Sequence, residues 1–270
     1  MKTSALLTSS LLLLASLAQA KDWYEPDIEY DFNIESVYMS RAKVYEDRPI
    51  LSNFLSVDWD IDKYGRLGFW YYNYCALTGR CQDKYHRFVP EQDWALTYEY
   101  DWKFAAEWSL DTEIMVEWQT FHGEKEDHTH SSFEWRIQQQ LKNPYITPYY
   151  KGRFTLRPTA YNYWQFGLKR KFRPFASTPF SITPNVAVDL CDRPGVRKRF
   201  GDLEDGEGDY QAGFLSAIGD VTFEYEFTEW FAVHVKVGQY GVINNQGRGN
   251  IHSPNKRDLT FWKAGFTLRF

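Results

Sequence analysis

The chain has 270 residues, of which 43% are hydrophobic and 19% aromatic, and its formal net charge is −5. No apolar run of about 20 residues follows residue 20, which excludes a helical membrane protein, and 50 aromatic side chains are too many for a disordered one (20 Phe, 19 Tyr and 11 Trp). Three cysteines are too few for a disulfide scaffold, and the acidic balance predicts no nucleic-acid partner.

The first 20 residues have the pattern of a bacterial secretory signal peptide. Lys2 supplies the positive charge, the run from Leu11 to Leu14 supplies the apolar region, and Ala18 and Ala20 form a small-x-small cleavage site. We therefore expect export and cleavage after Ala20, with residues 21–270 forming one folded domain.

Alternation with a period of two dominates the rest of the chain. Between residues 93 and 103, one face carries Trp94, Leu96, Tyr98, Tyr100 and Trp102, and the other carries Asp93, Thr97, Glu99, Asp101 and Lys103. This alternation predicts β-strands. A soluble β-sandwich would show the same pattern, so the alternation alone does not identify the fold.

The tryptophans favour a membrane barrel over a sandwich. Trp94 and Trp102 lie at opposite ends of one predicted strand, and Trp108 and Trp118 lie at opposite ends of the next. In tilted strands these pairs are about 19 and 23 Å apart in height. Outer-membrane barrels carry aromatic girdles on both rims of an apolar band about 25 Å tall.

The whole chain divides into about twelve predicted strands, an even number as in single-chain bacterial barrels. They are 29–41, 51–61, 66–76, 92–103, 106–120, 132–142, 145–155, 160–172, 179–191, 210–227, 230–240 and 259–270. Short turns at 62–65, 104–105, 143–144 and 228–229 alternate with longer polar loops at 77–91, 121–131, 192–209 and 241–258. We predict an all-β fold: a single antiparallel up-and-down transmembrane β-barrel with short periplasmic turns and long outer loops.

The charged face of each strand is predicted to line the lumen. The acidic lumen residues are Asp58, Asp60, Glu99, Asp101, Asp111, Glu113, Glu117, Glu224 and Glu226. The basic ones are Lys151, Arg153, Lys169, Lys171, Lys236, Lys263 and Arg269, with His234 beside them. Such groups cannot lie unpaired in a dry core, so either water fills the barrel or the charges neutralise one another across it.

The C-terminal segment resembles the assembly signal of bacterial outer-membrane barrels. Its last eight residues contain Gly265, Leu268 and the terminal aromatic residue Phe270 at the spacing of that signal. The resemblance implies an outer-membrane barrel that the barrel-assembly machinery recognises.

A second resemblance involves the first quarter of the exported chain. The segments 38–41 (Tyr-Met-Ser-Arg), 48–50 (Arg-Pro-Ile) and 65–70 (Gly-Arg-Leu-Gly-Phe-Trp) are similar to the opening of the uncharacterised TorF-like family of outer-membrane barrels. This resemblance implies no established activity.

The cysteines allow more than one arrangement. Cys75 and Cys81 bracket a predicted outer loop, and because the periplasm is oxidising we expect a disulfide between them. Two free thiols, or pairing of either residue with Cys191, are the alternatives.

One loop has the side chains of a metal site without a defining spacing. It contains three histidines and three carboxylates: His122, Glu124, Glu126, Asp127, His128 and His130. A solvated polar loop explains them equally well, so we predict no metal and no other cofactor. The sequence also lacks a nucleophile–base constellation, which predicts that the protein is not an enzyme.

Two hypotheses of function follow, with an outer-membrane hydrolase as the third. The first is a narrow porin-like channel for small polar or charged solutes. The second is a closed structural barrel that contacts partners through its outer loops, whose basic residues suit lipopolysaccharide phosphates (Arg193, Arg197, Lys198, Arg199, Arg248, Lys256 and Arg257). In both cases the expected location is the bacterial outer membrane, in contact with its lipid, and the oligomeric state is left open.

Overall fold

A computed structural model describes residues 25–40, 43–46, 48–77, 91–121, 130–157, 160–175, 177–200, 211–243 and 258–270. Twelve of its strands form a closed antiparallel barrel, as the sequence predicts. Among the described residues, no helix combines the length and the apolar character needed to cross a membrane.

The barrel strands follow one another in chain order around the wall, and the first strand pairs with both its successor and the last strand. Their bounds are β1 (Asp27–Glu35), β4 (Ile50–Asp60), β5 (Arg66–Ala76), β6 (Glu91–Ala105), β7 (Trp108–Phe121), β8 (His130–Lys142), β9 (Thr147–Arg157), β10 (Tyr161–Lys169), β11 (Phe180–Cys191), β12 (Gly213–Thr228), β13 (Phe231–Val242) and β14 (Asp258–Arg269). Two further strands, β2 (Tyr38–Ser40) and β3 (Lys43–Glu46), form a separate hairpin.

The two ends of the barrel differ in their connections. At one end, named here the short-turn end, the strands are joined by 61–65, 106–107, 143–146, 170–179 and 229–230. The other end, the long-loop end, carries the β2–β3 hairpin and the connections that include 77–90, 122–129, 192–212 and 243–257. The turn after β6 lies two residues later than predicted because a β-bulge between Lys103 and Ala105 lengthens that strand.

The first predicted strand, 29–41, is not continuous. β1 ends at Glu35, and the hairpin β2–β3 follows. Ser36 explains the break, because its Oγ accepts the backbone N–H of Trp262 at 2.9 Å, while its own N–H donates to the carbonyl of Trp262. A side-chain acceptor here replaces the backbone acceptor that would extend the ladder.

Part of the predicted loop 192–209 is a helix, α1 (Arg193–Phe200). Asp192 caps it, because its Oδ1 accepts the backbone N–H of Gly195 at 2.9 Å. Pro194 fits the first turn, where a backbone N–H is not needed. The basic residues and Gly195 made this segment resemble a loop in the sequence.

The outer surface of the barrel is apolar and aromatic. Trp94 and Trp118 are cross-strand partners near the long-loop end, and Trp102 and Trp108 lie near the short-turn end. All four are exposed, at 43%, 49%, 57% and 37% respectively. Two exposed aromatic bands on a barrel with charged residues on its inner face are typical of a transmembrane β-barrel.

The closing seam joins β1 to β14 and includes the last residue. Phe270 and Ile28 exchange two backbone hydrogen bonds, of 2.9 and 3.1 Å, and the half-exposed Phe270 ring lies on the outer surface. The neighbouring Arg269 instead points inward and pairs with Glu29 at 3.1 Å.

Deleting Phe270 is expected to reduce assembly into the outer membrane far more than replacing Arg269 with Gln. The deletion removes both seam hydrogen bonds and the aromatic residue of the predicted assembly signal, whereas the loss of a half-exposed ion pair costs less than about 1 kcal/mol. The measurement is the amount of heat-modifiable protein in outer-membrane fractions. Equal losses for the two variants would contradict the assembly role of Phe270.

Candidate channel lumen

The inner face of the wall is defined by contacts between strands that are not neighbours. The guanidinium of Arg136 on β8 lies 5.8 Å from the ring centroid of Trp70 on β5. Two intervening strands separate them along the wall, so their side chains can meet only through the interior. The alternation of each strand then places the other inward residues.

The residues predicted to line the lumen fall on this inner face or at its rim. The acidic ones on the inner face are Asp58, Asp60, Glu99, Asp101, Asp111, Glu113, Glu117, Glu224 and Glu226. The basic ones are Lys151, Arg153, Lys169, Lys236, Lys263 and Arg269, together with His234, whose Nε2 lies 2.7 Å from Asn33 Oδ1. Lys171 differs, because β10 ends at Lys169.

Cross-strand register arranges the inward residues of β7 to β10 in successive rows. From the short-turn end upward, the rows are Asp111–Gln140–Tyr149–Gly167, Glu113–Gln138–Lys151–Gln165, Met115–Arg136–Arg153–Tyr163 and Glu117–Glu134–Thr155–Tyr161. Part-exposed charges occupy the second row, and fully buried carboxylates occupy the fourth. The lumen therefore changes character at about mid-height.

A buried ion network occupies the lumen above this level. Arg136 contacts the carboxylates of both Glu117 and Glu134, with Nη2 at 2.9 Å and Nε at 3.0 Å from Glu134 Oε1. Thr155 donates a hydrogen bond of 3.0 Å to Glu134, and Arg153 lies 3.6 Å from it. Both carboxylates are fully buried, so their charges depend on these partners.

An apolar cluster lies beside this network at the long-loop end. Val196 of α1 is fully buried and packs with inward residues of β10 to β13: Tyr161, Tyr163, Cys191, Leu215, Tyr240 and Val242. Met39 of the β2–β3 hairpin packs against the same cluster. Gly195 permits the approach of α1, because a Cβ there would lie 1.9 Å from the sulfur of Cys191.

Packing fills the long-loop half of the lumen. Its inward side chains are buried on strands all around the wall, from Asn33 on β1 to Tyr240 on β13. Tyr38 of the hairpin contributes by contacting Tyr72 and Tyr74 on β5, with ring centroids 6.1 and 4.3 Å apart. Inward residues of an empty channel would instead be exposed to water.

The short-turn half contains open space. A cavity of about 970 Å³ lies at the short-turn rim, where Trp102 of the outer surface borders it and charged residues, including Asp60, Arg66, Glu99, Asp101, Asp111 and Lys142, form most of its lining. Lys142 Nζ pairs with Asp111 Oδ2 at 2.6 Å. This half of the barrel therefore has room for water and for a small solute.

Unpaired charges of opposite sign face each other near mid-height. In the described part of the chain, Glu99 and Glu113 on β6 and β7 form no ion pair, and neither do Lys151 and Lys169 on β9 and β10. Glu113 and Lys151 lie on the same row, with only Gln138 between them. We name Glu99 and Glu113 the acidic wall and Lys151 and Lys169 the basic wall. Their opposite charges create an electric field across the lumen.

The other predicted basic lumen residues are all paired. Lys236 lies 3.9 Å from Asp220, and Lys263 lies 3.7 Å from Glu35. Beyond the end of β10, Lys171 pairs with Glu224 at 2.7 Å and lies 3.6 Å from Glu226. The sequence predicts that Lys171 is a basic lumen residue on a strand. In the structure it lies beyond the end of β10 and forms ion pairs at the short-turn rim.

Several structural features of the lumen were missed in the sequence. Arg136 and Glu134 alternate with apolar residues and carry the same signal as the predicted lumen residues, whereas Trp70 lies in an aromatic run (69–72) without alternation. The contacts that join these three residues depend on register. The position of α1 at the long-loop end could not be predicted from the sequence. The only local sign of the helix is Asp192, two residues before Pro194, as a possible N-cap.

Some predicted sites fall outside the described residues. They are Cys81, residues 122–129 of the histidine-rich loop, and Arg248, Lys256 and Arg257. Cys75 is buried at the end of β5, and its disulfide with Cys81 stays a prediction. In the described part of the chain, no group of three or more His, Cys, Asp or Glu could hold a metal ion.

Comparison with known proteins finds similarity in structure only. No protein-family model matches the chain, and no curated protein matches it. Similar solved structures include the KdgM porin (10% identity, TM-score 0.47, 90% of this chain and 99% of that chain). The NanC porin (8%, 0.48, 91% and 100%) and outer membrane phospholipase A from Escherichia coli (11%, 0.48, 94% and 96%) are others. Because a shared barrel does not define an activity, function has to be inferred from the lumen of this chain.

Proposed function

We propose that the protein is a narrow, porin-like channel of the bacterial outer membrane for small polar or charged solutes. The observation that carries this proposal is the set of unpaired charges around the short-turn half of the lumen, next to a cavity of about 970 Å³. Unpaired charges of this kind need water or a polar solute as their partner. A purely structural barrel gains nothing from them.

The long-loop half is the constriction of this channel. The network of Arg136, Glu117 and Glu134 occupies it, and α1 and the β2–β3 hairpin cover it. We infer a small conductance, because a solute has to pass where side chains leave little space.

The test is single-channel recording of the purified protein in planar lipid bilayers. Discrete openings above the background of a heat-denatured sample support the channel. Silence at all voltages, from protein that still migrates as a folded barrel on unheated gels, would overturn it.

A closed surface barrel is the second candidate, and the filled long-loop half favours it. In that case the exposed residues Arg193 and Arg197 of α1 offer contacts to anionic groups such as lipopolysaccharide phosphates. A silent bilayer together with binding of lipopolysaccharide that is lost in Arg193→Gln/Arg197→Gln would identify this function.

The proposal includes the route to the membrane and the surroundings there. Residues 1–20 act as a cleaved signal peptide, the barrel-assembly machinery recognises the segment ending at Phe270, and outer-membrane lipid contacts the aromatic bands. We further propose that the protein is not an enzyme and needs no cofactor. Mature protein beginning at Lys21, found by N-terminal sequencing, would support the export route.

A further inference from the structure

Two lysines on the basic wall flank one aromatic ring. The ammonium groups of Lys151 and Lys169 lie 5.5 and 5.8 Å from the ring centroid of Tyr149. An aromatic face stabilises an ammonium group without neutralising it. Both lysines are therefore positioned while their N–H donors stay available for a ligand.

The position of Tyr149 depends on its neighbours. Its ring lies over Gly167 on β10, where an added Cβ would be 2.2 Å from the tyrosine Cζ. Its hydroxyl donates a hydrogen bond of 2.9 Å to Asn185, whose amide donates to Asp220 at 2.8 Å. Tyr149 is thus held by a network that runs from β9 to β12.

The nearest unpaired acid on the same row is Glu113. Register places Gln138 between Glu113 and Lys151, so two strand spacings separate the latter residues, with their Cα atoms about 10 Å apart. Glu99, the cross-strand neighbour of Glu113 on its other side, adds a second negative charge to this row. Glu113 and Lys151 attract each other without forming an ion pair.

We propose that this row is a binding site for a small zwitterion that carries a carboxylate at one end and an ammonium group at the other. The carboxylate binds Lys151, with Lys169 adding charge, and the ammonium group binds Glu113. The proposal rests on the proposed channel and names the class of solute for which its lumen is built. A solute with a single charge can pair with the acidic residues or with the basic residues of the row, but not with both.

The cavity at the short-turn rim reaches this row at Glu99, the cross-strand neighbour of Glu113. Glu113, Gln138 and Lys151 are all partly exposed, whereas the carboxylates two rows above are fully buried. A solute can therefore reach the site from the short-turn end while α1 covers the other end. Because the solute enters from one end only, its binding to the site can be measured even in a barrel that does not transport it.

The experiment is isothermal titration calorimetry of the folded barrel in detergent with 4-aminobutyrate, butyrate and butylamine. The last two probes each carry one of the two charges of the first. We expect 4-aminobutyrate to bind at least about tenfold more tightly than either, because it makes one more charge-assisted contact. Equal affinities for the three probes would overturn the proposal.

Variants identify which wall holds which group. Lys151→Gln is expected to weaken 4-aminobutyrate and butyrate but not butylamine, and Glu113→Gln is expected to weaken 4-aminobutyrate and butylamine but not butyrate. Lys263→Gln, which removes the same charge from an ion-paired lysine, should leave all three affinities unchanged. Gly167→Ala should weaken binding by displacing Tyr149, whereas Gly219→Ala, with open space around its Cβ, should not.

The outcomes separate this site from the channel. Zwitterion binding with the expected variant pattern in a barrel that is silent in bilayers supports the site and overturns the channel. Discrete openings without selective binding overturn the site and leave the channel supported. A variant pattern in which both charge changes affect all probes alike also overturns the site, provided that each variant remains heat-modifiable.

Discussion

Replacing Arg136 with Met is expected to lower the free energy of unfolding by about 3–5 kcal/mol. The guanidinium contacts Glu117 and Glu134, which are both fully buried, and its own side chain is 14% exposed. Without the guanidinium, the carboxylates of Glu117 and Glu134 would keep only weaker partners. For Glu117 one of these is Gln119, whose Nε2 donates a hydrogen bond of 2.8 Å to Oε1. The measurement is reversible urea unfolding of the barrel in lipid vesicles.

The matched control is Arg66→Met. Arg66 lies 3.5 Å from Asp27, but the two side chains are 41% and 75% exposed, so the loss should stay below about 1 kcal/mol. Adding Glu117→Gln and Glu134→Gln to Arg136→Met should recover much of the stability, because the buried charges disappear together. Similar losses for Arg136→Met and Arg66→Met would show that the network contributes no stability.

The second large effect concerns ion selectivity. The double variant Lys151→Gln/Lys169→Gln is expected to shift the channel severalfold toward cations while the barrel folds normally. Neither lysine has an ion pair to lose within the described chain, and the acidic wall of Glu99 and Glu113 is left unopposed. The measurement is the reversal potential in a salt gradient.

The control for selectivity is Lys171→Gln/Lys263→Gln, which changes the net charge equally. Both of these lysines pair with acids, Lys171 at the rim and Lys263 with Glu35, so they add little to the field across the lumen. We expect a smaller shift and some loss of stability. Equal shifts for the two double variants would mean that net charge, and not the basic wall, determines selectivity.

The barrel could be predicted from local patterns, whereas the filling of its lumen could not. Alternation and tryptophan spacing depend on residues close in sequence, and they located Trp94 and Trp118 on the outer surface. The contact of Arg136 with Trp70 joins residues on non-neighbouring strands, and it depends on register and curvature that no local pattern carries. The capped helix α1 was missed because Asp192 and Gly195 are equally common in turns.

The two walls of the lumen illustrate the same limit. Alternation predicts that Lys151, Lys169 and Glu113 are inward residues, because it depends only on their positions along a strand. Whether each charge has a partner depends on neighbouring strands: Arg153 lies 3.6 Å from Glu134 on the next row, whereas Lys151 lies opposite the neutral Gln138. The separation of paired from unpaired charges therefore became visible only in three dimensions.

The seam between β1 and β14 has a consequence for the order of folding. It joins groups as far apart in sequence as Glu29 and Arg269, which are 240 residues apart, whereas every other strand pair in the wall joins consecutive barrel strands. Each doubling of loop length adds only about 0.6 kcal/mol to the entropic cost of closure, so the long loop lowers stability little. Its main effect is on the folding rate, because contacts between distant residues form slowly. Hairpins can form one after another, but the first strand keeps an unsatisfied edge until the last strand arrives. During that interval the edge is open to pairing with other chains, so dilution or a protecting partner should raise the yield of folded protein.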